Sequence, residues 1–226
     1  MTAAWDLSLL HLLNGSHSPY ADQLMLTLTS GLTWIPLYVA LVYLVIKNNE
    51  TALQIMLVVG GAALCVLITA GVCELIAKPG VERLRPSVDP LVRDTLTLVG
   101  NMRGSGYSFF SAHAANTFGI AVFMSLVVRS GTLTFFMVAW ALLNSYSRLY
   151  LGVHYPSDVF VGMLFGIVTA LVVYLIYIRL YLKVSLRFNY ISTKYTRTGY
   201  ALTDIAVVIT VLVLTLLYAV IRATII

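Results

Sequence analysis

Apolar residues in this chain fall into long continuous runs rather than alternating or one-faced patterns. Runs near 24–46, 52–77, 109–129, 132–150, 157–182 and 201–223 are each long enough, or nearly so, to cross a bilayer; a helical span needs about 20 apolar residues for a hydrocarbon core of roughly 30 Å. The joints carry charge or turn residues: Lys47-Asn-Asn-Glu50, Arg129-Ser-Gly131, and the basic stretch from Lys183 to Gly199. A polar insert over 78–107, rich in Pro, Gly and Arg, predicts a cap loop between the second and third spans. Ahead of the first span, residues 4–14 (AWDLSLLHLLN) predict a short amphipathic helix lying at the interface, anchored by Trp5 and ended by the Asn14-Gly15 turn. The expected fold is therefore all-α, one membrane domain over 1–226 with six transmembrane helices.

Composition agrees with that reading. Of 226 residues, 60% are hydrophobic and 10% charged, more apolar side chain than a soluble domain of this size can bury. The net charge of +5 resides in loops between apolar runs, so it reports topology and anionic head groups rather than a nucleic-acid partner. Cys65 and Cys73 lie eight residues apart in one apolar run, about 12 Å along a helix, too far to bridge, and are expected as buried thiols. The N-terminus has no basic n-region, so a cleaved signal peptide is not expected.

With six spans, the loops at 47–51, 129–131 and 183–200 share one face. The two faces carry equal numbers of Lys and Arg. Setting aside Lys78, Arg85 and Arg148 as site residues leaves the excess, Arg187 included, on the 183–200 face, which is expected to be cytoplasmic. The site then faces the outside.

Three stretches at span edges carry the candidate chemistry: Lys78 to Pro86, Ser111-Ala112-His113, and Ser147-Arg148 followed by His154 and Asp158. Charges at membrane edges are costly and commonly functional. Lys78, Arg85 and Arg148 taken singly fit snorkelling anchors; converging, they would neutralise a phosphate and its transition state, Arg as a bidentate donor and Lys as a point charge. Pro156 suits the first turn of the fifth span. An i, i+4 pair at its start would let Asp158 accept one ring N–H of His154 and free the other nitrogen as a nucleophile. The plain alternative is a capping acid beside an interfacial histidine. His113 would be a general acid or a structural histidine, and the residues alone do not choose between His154 and His113 as nucleophile. Ser111, with the N–H groups of Ala112 and His113, marks a helix start able to hold an anion, and is equally a simple N-cap. Gly104-Ser-Gly106 reads as a flexible turn, Gly162 and Gly166 as a close-packing GxxxG within the bundle, and Asn116 and Asn144 as interhelical hydrogen-bonders.

Lys-x6-Arg-Pro, Ser-x-His and Ser-Arg-x5-His-x3-Asp, in this order, resemble the three-part signature of the type 2 phosphatidic acid phosphatase (PAP2) superfamily. Phe110 and Ala112 stand where the family has Pro and Gly in the second motif. The resemblance implies metal-independent hydrolysis with no cofactor, through a phosphohistidine. In it His154 attacks phosphorus, Asp158 orients that ring, and His113 protonates the leaving group. Lys78, Arg85, Ser111, the N–H of Ala112 and Arg148 hold the phosphoryl oxygens.

Bilayer setting and resemblance together imply a lipid phosphate as substrate: lipid A phosphate or undecaprenyl pyrophosphate first, phosphatidylglycerol phosphate or phosphatidic acid second. The expected location is a bacterial inner membrane with the site on the periplasmic or outer face. Oligomeric state is left open. A lipid-phosphate binder or flippase would need the cations but no His154–Asp158 pair. A zinc hydrolase would have to tolerate three cations beside its metal, and vanadate-dependent haloperoxidase chemistry would be expected in a soluble chain.

Overall fold

The structure is a computed structural model that describes residues 4–16, 18–100, 102–184 and 192–225. Arg187, used above to orient the chain, lies outside the described residues.

The chain is helical throughout its named elements: α1 Ala4–Leu13, α2 Pro19–Thr29, α3 Ile35–Lys47, α4 Ala52–Val72, the single turn α5 Lys78–Val81, α6 Ala112–Val128, α7 Gly131–Tyr150, α8 Pro156–Val184 and α9 Leu202–Thr224. Side-chain caps start the helices where the sequence turns polar. Thr51 and Gln54 form a reciprocal capping box on α4, and Ser130 caps α7 through the Leu133 N–H, satisfying donors that a helix start leaves free.

Helices occupy all six predicted runs; among the described residues three helices are, by length and composition, long and apolar enough to cross a membrane, or four if a bent pair counts as one span. Ala52–Val81, Pro156–Val184 and Leu202–Thr224 qualify alone, and α2 with α3 qualifies as a fourth only as a pair bent by 67°. The predicted span at 24–46 is thus two segments. Pro19 starts α2, a 3-10 turn over Gly31–Trp34 follows, and Pro36 sits in the first turn of α3, where a missing N–H is tolerated. At 17 residues α6 is short, and α7 carries buried Asn144, Ser145, Ser147 and Arg148 near its end, which lowers its apolar content. These helices make the protein integral to a membrane.

The second span runs past its predicted end. A π-helical turn over Cys73–Ala77 joins α4 to α5, placing Lys78 on a helix rather than in a loop.

Within the bundle α4, α6 and α8 pack on one another and α7 lies against α6, while α2 and α3 pack on α9. The shared core includes Leu37, Leu44, Val58, Phe123, Trp140 and Leu212. GxxxG is a packing device inside the chain, as expected: a Cβ on Gly162 would stand 2.5 Å from the Ser111 carbonyl oxygen, and one on Gly166 would meet the Ala115 backbone. Cys65 and Cys73 are buried free thiols. Asn116 accepts from Thr69 across the α4–α6 contact at 2.5 Å. Asn144 differs from expectation, donating to Trp140 O one turn back in its own helix at 2.9 Å.

Helix α1 is docked rather than merely laid at a surface. It packs on α7 and α8 and buries Asp6 and Leu10. Asn14 then clasps the end of α7 to the 78–107 loop, donating to Tyr150 O (2.8 Å) and Thr97 O (3.2 Å) while accepting from the Thr97 N–H (2.8 Å).

Candidate active site

Each predicted site residue falls at a helix end or in an adjoining loop. Ser111 is the N-cap of α6: its extended backbone leaves the helix, and its hydroxyl accepts from Ala114 N–H at 3.4 Å. Its own N–H donates to the Asp158 carbonyl at 3.0 Å, tying the start of α6 to the start of α8. Ala112 and His113 follow in the first turn of α6, where N–H groups lack intrahelical partners. His113 is exposed, and Arg148, His154, Arg85 and Lys78 all lie within electrostatic reach of it. Phe110, at the family's Pro position, is buried and packs its ring 4.9 Å from that of Phe165.

Arg85 is the best-held cation. Its Nε donates to Ser105 O (3.0 Å) and Gly106 O (3.1 Å), and its Nη1 donates to Val153 O (3.0 Å). The Gly104-Ser-Gly106 turn is therefore a clamp on this side chain. Gly104 has a positive φ of 66°, and a Cβ there would come within 2.9 Å of Arg85 Cδ, so only glycine fits the bend and the close approach together.

Nη1 of Arg85 also lies 3.1 Å from Nε2 of His154. A guanidinium has only donors, so Nε2 must accept: its lone pair points to the cation and the ring proton sits on Nδ1. His154 is 2% exposed. Burial, and then the charges of Arg148 and Arg85, push its pKa down from 6.5 to about 4, against the opposing pull of Asp158. The ring is thus neutral at neutral pH, with the lone pair directed into the cationic cluster.

Asp158 lies behind the ring but not in the expected hydrogen bond. Nδ1 of His154 and Oδ2 of Asp158 are 3.8 Å apart, beyond hydrogen-bond range, and Nδ1 has no partner among the described residues. The reason is local. Helix α8 begins at Pro156, so His154 precedes it and the two do not share a helical face. Oδ2 instead accepts the Tyr155 N–H at 3.1 Å, and Oδ1 accepts from Arg83 Nη1 at 2.6 Å.

Arg83 was missed from the sequence. It lies two residues before Arg85, and the Arg-x-Arg spacing was the available signal. Its Nη2 donates to Asp6 Oδ2 at 2.7 Å, its Nη1 also reaches Ser157 Oγ at 2.7 Å, and its guanidinium lies 3.8 Å over the centre of the Tyr155 ring. Arg148, in the last turn of α7, is 8% exposed; its Nη1 donates to Thr29 Oγ1 at 2.5 Å, and its Nε has no partner among the described residues. Lys78 has a different partner. It pairs with Glu74 one turn back, and its field reaches His113 and Cys73.

Arg85, Arg148, His113 and His154 are thus brought together, with Ser111 and Asp158 joined backbone to backbone. A buried guanidinium N–H lacking an acceptor costs free energy that an anion's oxygen would relieve. Among the described residues no group of three or more His, Cys, Asp or Glu side chains gathers to hold a metal ion. The arrangement can bind a tetrahedral oxyanion and present an unprotonated imidazole to its centre.

The family model of the PAP2 superfamily matches residues 58–182, a stretch that contains Lys78, Arg85, Ser111, His113, Arg148, His154 and Asp158. A lipid A 4'-phosphatase of Bacteroides thetaiotaomicron is 40% identical over 71% of this chain and 72% of its own. A lipid A 4'-phosphatase of Porphyromonas gingivalis is 30% identical over 74% of this chain and 70% of its own. The crystal structure of Aquifex aeolicus LpxE superposes with a TM-score of 0.57 at 25% identity, covering 76% of this chain and 95% of that one. A transmembrane PAP2-type phosphatidylglycerolphosphate phosphatase from Bacillus subtilis shares the fold, with a TM-score of 0.58 at 20% identity over 82% of this chain and 88% of its own. The chain belongs to the PAP2 superfamily and is a hydrolase of that family's phosphatase class.

Proposed function

We propose that this protein removes a phosphate from an envelope lipid, with lipid A as the substrate class, through a covalent phosphohistidine on His154. The observation that carries the reading is the 3.1 Å contact between Arg85 Nη1 and His154 Nε2. A phosphoryl oxygen bound to that guanidinium brings phosphorus against the lone pair, in the way a positioned nucleophile requires. Arg148, whose Nε has no partner among the described residues, and the first-turn N–H groups of Ala112 and His113 take further oxygens; Lys78 adds positive charge. The lipid A 4'-phosphatase relatives favour this substrate over undecaprenyl pyrophosphate, phosphatidylglycerol phosphate or phosphatidic acid.

In the first step Nε2 forms a bond to phosphorus as the bond to the lipid oxygen breaks, and His113 gives that oxygen its proton. Positive charge grows on the His154 ring, and the Asp158 carboxylate stabilises it from the Nδ1 side. In the second step His113 takes a proton from water, whose oxygen attacks phosphorus. The P–N bond breaks, releasing inorganic phosphate and restoring the neutral ring. Six spans, with the site on the outer face of a bacterial inner membrane, complete the reading.

Phosphate release by purified protein against a panel of those four lipids tests it. Lipid A should be preferred, His154→Ala should abolish turnover, and acid-labile phosphate should accumulate on the wild type but not on His154→Ala. Binding of lipid phosphate without release would favour the binder or flippase instead, and release by His154→Ala at the wild-type rate would remove His154 from the chemistry.

A further inference from the structure

The N-terminal helix carries a buried carboxylate that the phosphohistidine scheme does not use. We propose that Asp6 is a positioning residue of the site, acting through Arg83 on the Asp158–His154 pair. The inference rests on the reading of His154 as nucleophile and concerns what sets its environment.

Four side chains from three parts of the chain form one polar unit. Asp6 Oδ1 accepts the Ser157 N–H at 2.8 Å, and Oδ2 accepts from Ser157 Oγ at 2.6 Å and from Arg83 Nη2 at 2.7 Å. Arg83 uses its other terminal nitrogen for Asp158 Oδ1 at 2.6 Å. Asp6 is 1% exposed and Asp158 0%. Burial opposes the charge on Arg83, but Asp158 and Asp6 outweigh it and hold its pKa above the ordinary value.

The charge count gives the unit its consequence. One guanidinium shared by two carboxylates leaves a net negative charge on the side that faces Nδ1 of His154. Were Asp6 neutral, Arg83 would match Asp158 one to one, and the carboxylate behind the ring would lose most of its field. The ring then becomes less able to carry the positive charge that grows as it attacks. Asp6 also caps the start of α8 from outside that helix, at Ser157, three residues beyond His154 and one before Asp158, so its two oxygens set both position and charge.

Helix α1 has other anchors. Gly15 N–H donates to Tyr150 O at 3.0 Å, Asn14 clasps Tyr150 and Thr97, and Leu10 is fully buried. Removing the charge of Asp6 therefore leaves most of the docking in place, and electrostatic and structural roles can be separated.

The test is a double-mutant cycle on phosphate release from lipid A, with kcat and KM measured for the full-length wild type, Asp6→Asn, Arg83→Gln and the pair. Asp6→Asn should lower kcat by about 10- to 100-fold with KM within about twofold, and Asp6→Glu should recover part of that loss. In the Arg83→Gln background, where no guanidinium needs balancing, the same Asp6→Asn change should cost less than about threefold. An equal loss in both backgrounds would make Asp6 a docking residue only and overturn the inference, as would a loss carried by KM or an unchanged kcat. Because the cycle compares ratios, a uniformly less stable Asp6→Asn protein gives the equal-loss result, and Asp6→Glu with no recovered turnover counts against the inference as well. Wild-type protein that releases no phosphate would sink the phosphatase reading itself, which is a different result from active wild type with an indifferent Asp6.

Discussion

Arg148, at the end of α7, donates Nη1 to the hydroxyl of Thr29 at the end of α2, 2.5 Å away and 119 residues earlier in the chain. This contact brings the bent first span into the site: the break after Thr29 puts an acceptor beside a cation whose Nε is left for a ligand. Thr29→Val keeps the side-chain shape and removes the acceptor. It should raise KM and lower kcat/KM by about tenfold, the worth of one charged hydrogen bond, while Arg222→Ala, an exposed residue bonded to Tyr218 at the end of α9, should leave both within about twofold. Steady-state kinetics on the two variants side by side checks this.

The Gly104 turn predicts a second effect. Gly104→Ala would push a methyl against Arg85 Cδ and Nε, at 2.9 and 3.0 Å, in a backbone with φ of 66°. The expected cost is about 1 kcal/mol or more in stability from the backbone alone. Because Arg85 is displaced as well, turnover should fall further than the loss of folded protein explains. Thermal melting and phosphate release on the same preparation separate the two losses.

At the α6–α8 contact, Gly162→Ala would place Cβ 2.5 Å from the Ser111 carbonyl oxygen. Backbone cannot yield there as a flexible side-chain tip would, so overpacking should cost about 1–3 kcal/mol. The displacement also moves Ser111, whose N–H is bonded to Asp158 O, so activity should drop with stability. A melting temperature equal to that of the wild type would contradict this close packing.

Buried His154 sets a pH dependence of stability. Its pKa is about 4 when folded against 6.5 ordinarily, burial being the main cause and Arg148 and Arg85 the next. Between these values the unfolded chain binds a proton that the folded one does not, so stability rises with pH across this window. Stability should be full above pH 6.5 and fall as pH drops toward 4, and His154→Asn should lose less over the same interval. Melting temperatures of both proteins at a series of pH values test the sign and the residue.

Lys78 and Arg85 are distinguished by the contacts the structure gives them. Arg85 is held by three carbonyls and touches His154, whereas Lys78 pairs with Glu74. Arg85→Lys, which keeps charge but loses the planar fork, should cost at least about 100-fold in kcat/KM, and Lys78→Arg should cost less. Kinetics showing the reverse order would mean that Lys78 moves in to make the closer phosphate contact.

Continuous apolar runs dictate helices, because no other segment satisfies its own backbone in lipid, and membrane character followed from composition alone. Short-range motifs were equally legible: Ser111 as N-cap, Pro156 at the start of α8, and glycines at i, i+4 in α8 are local features whose geometry depends on neighbours a few residues away. Arg85, Arg148, His113 and His154, which the structure brings near one another, lie in motifs that spacing alone singled out. What the sequence did not contain was the pairing of charges across elements. Arg83 and Asp158 are 75 residues apart, and Arg83 and Asp6 77; no periodicity or spacing rule couples such positions. The same holds for the bend that delivers Thr29 to Arg148 and for the carbonyls that turn Gly104-Ser105-Gly106 into a clamp. Helix-forming tendency and chemical type are properties of the chain, whereas which buried carboxylate shares which guanidinium is settled by packing, where desolvation penalises every charge left without a partner.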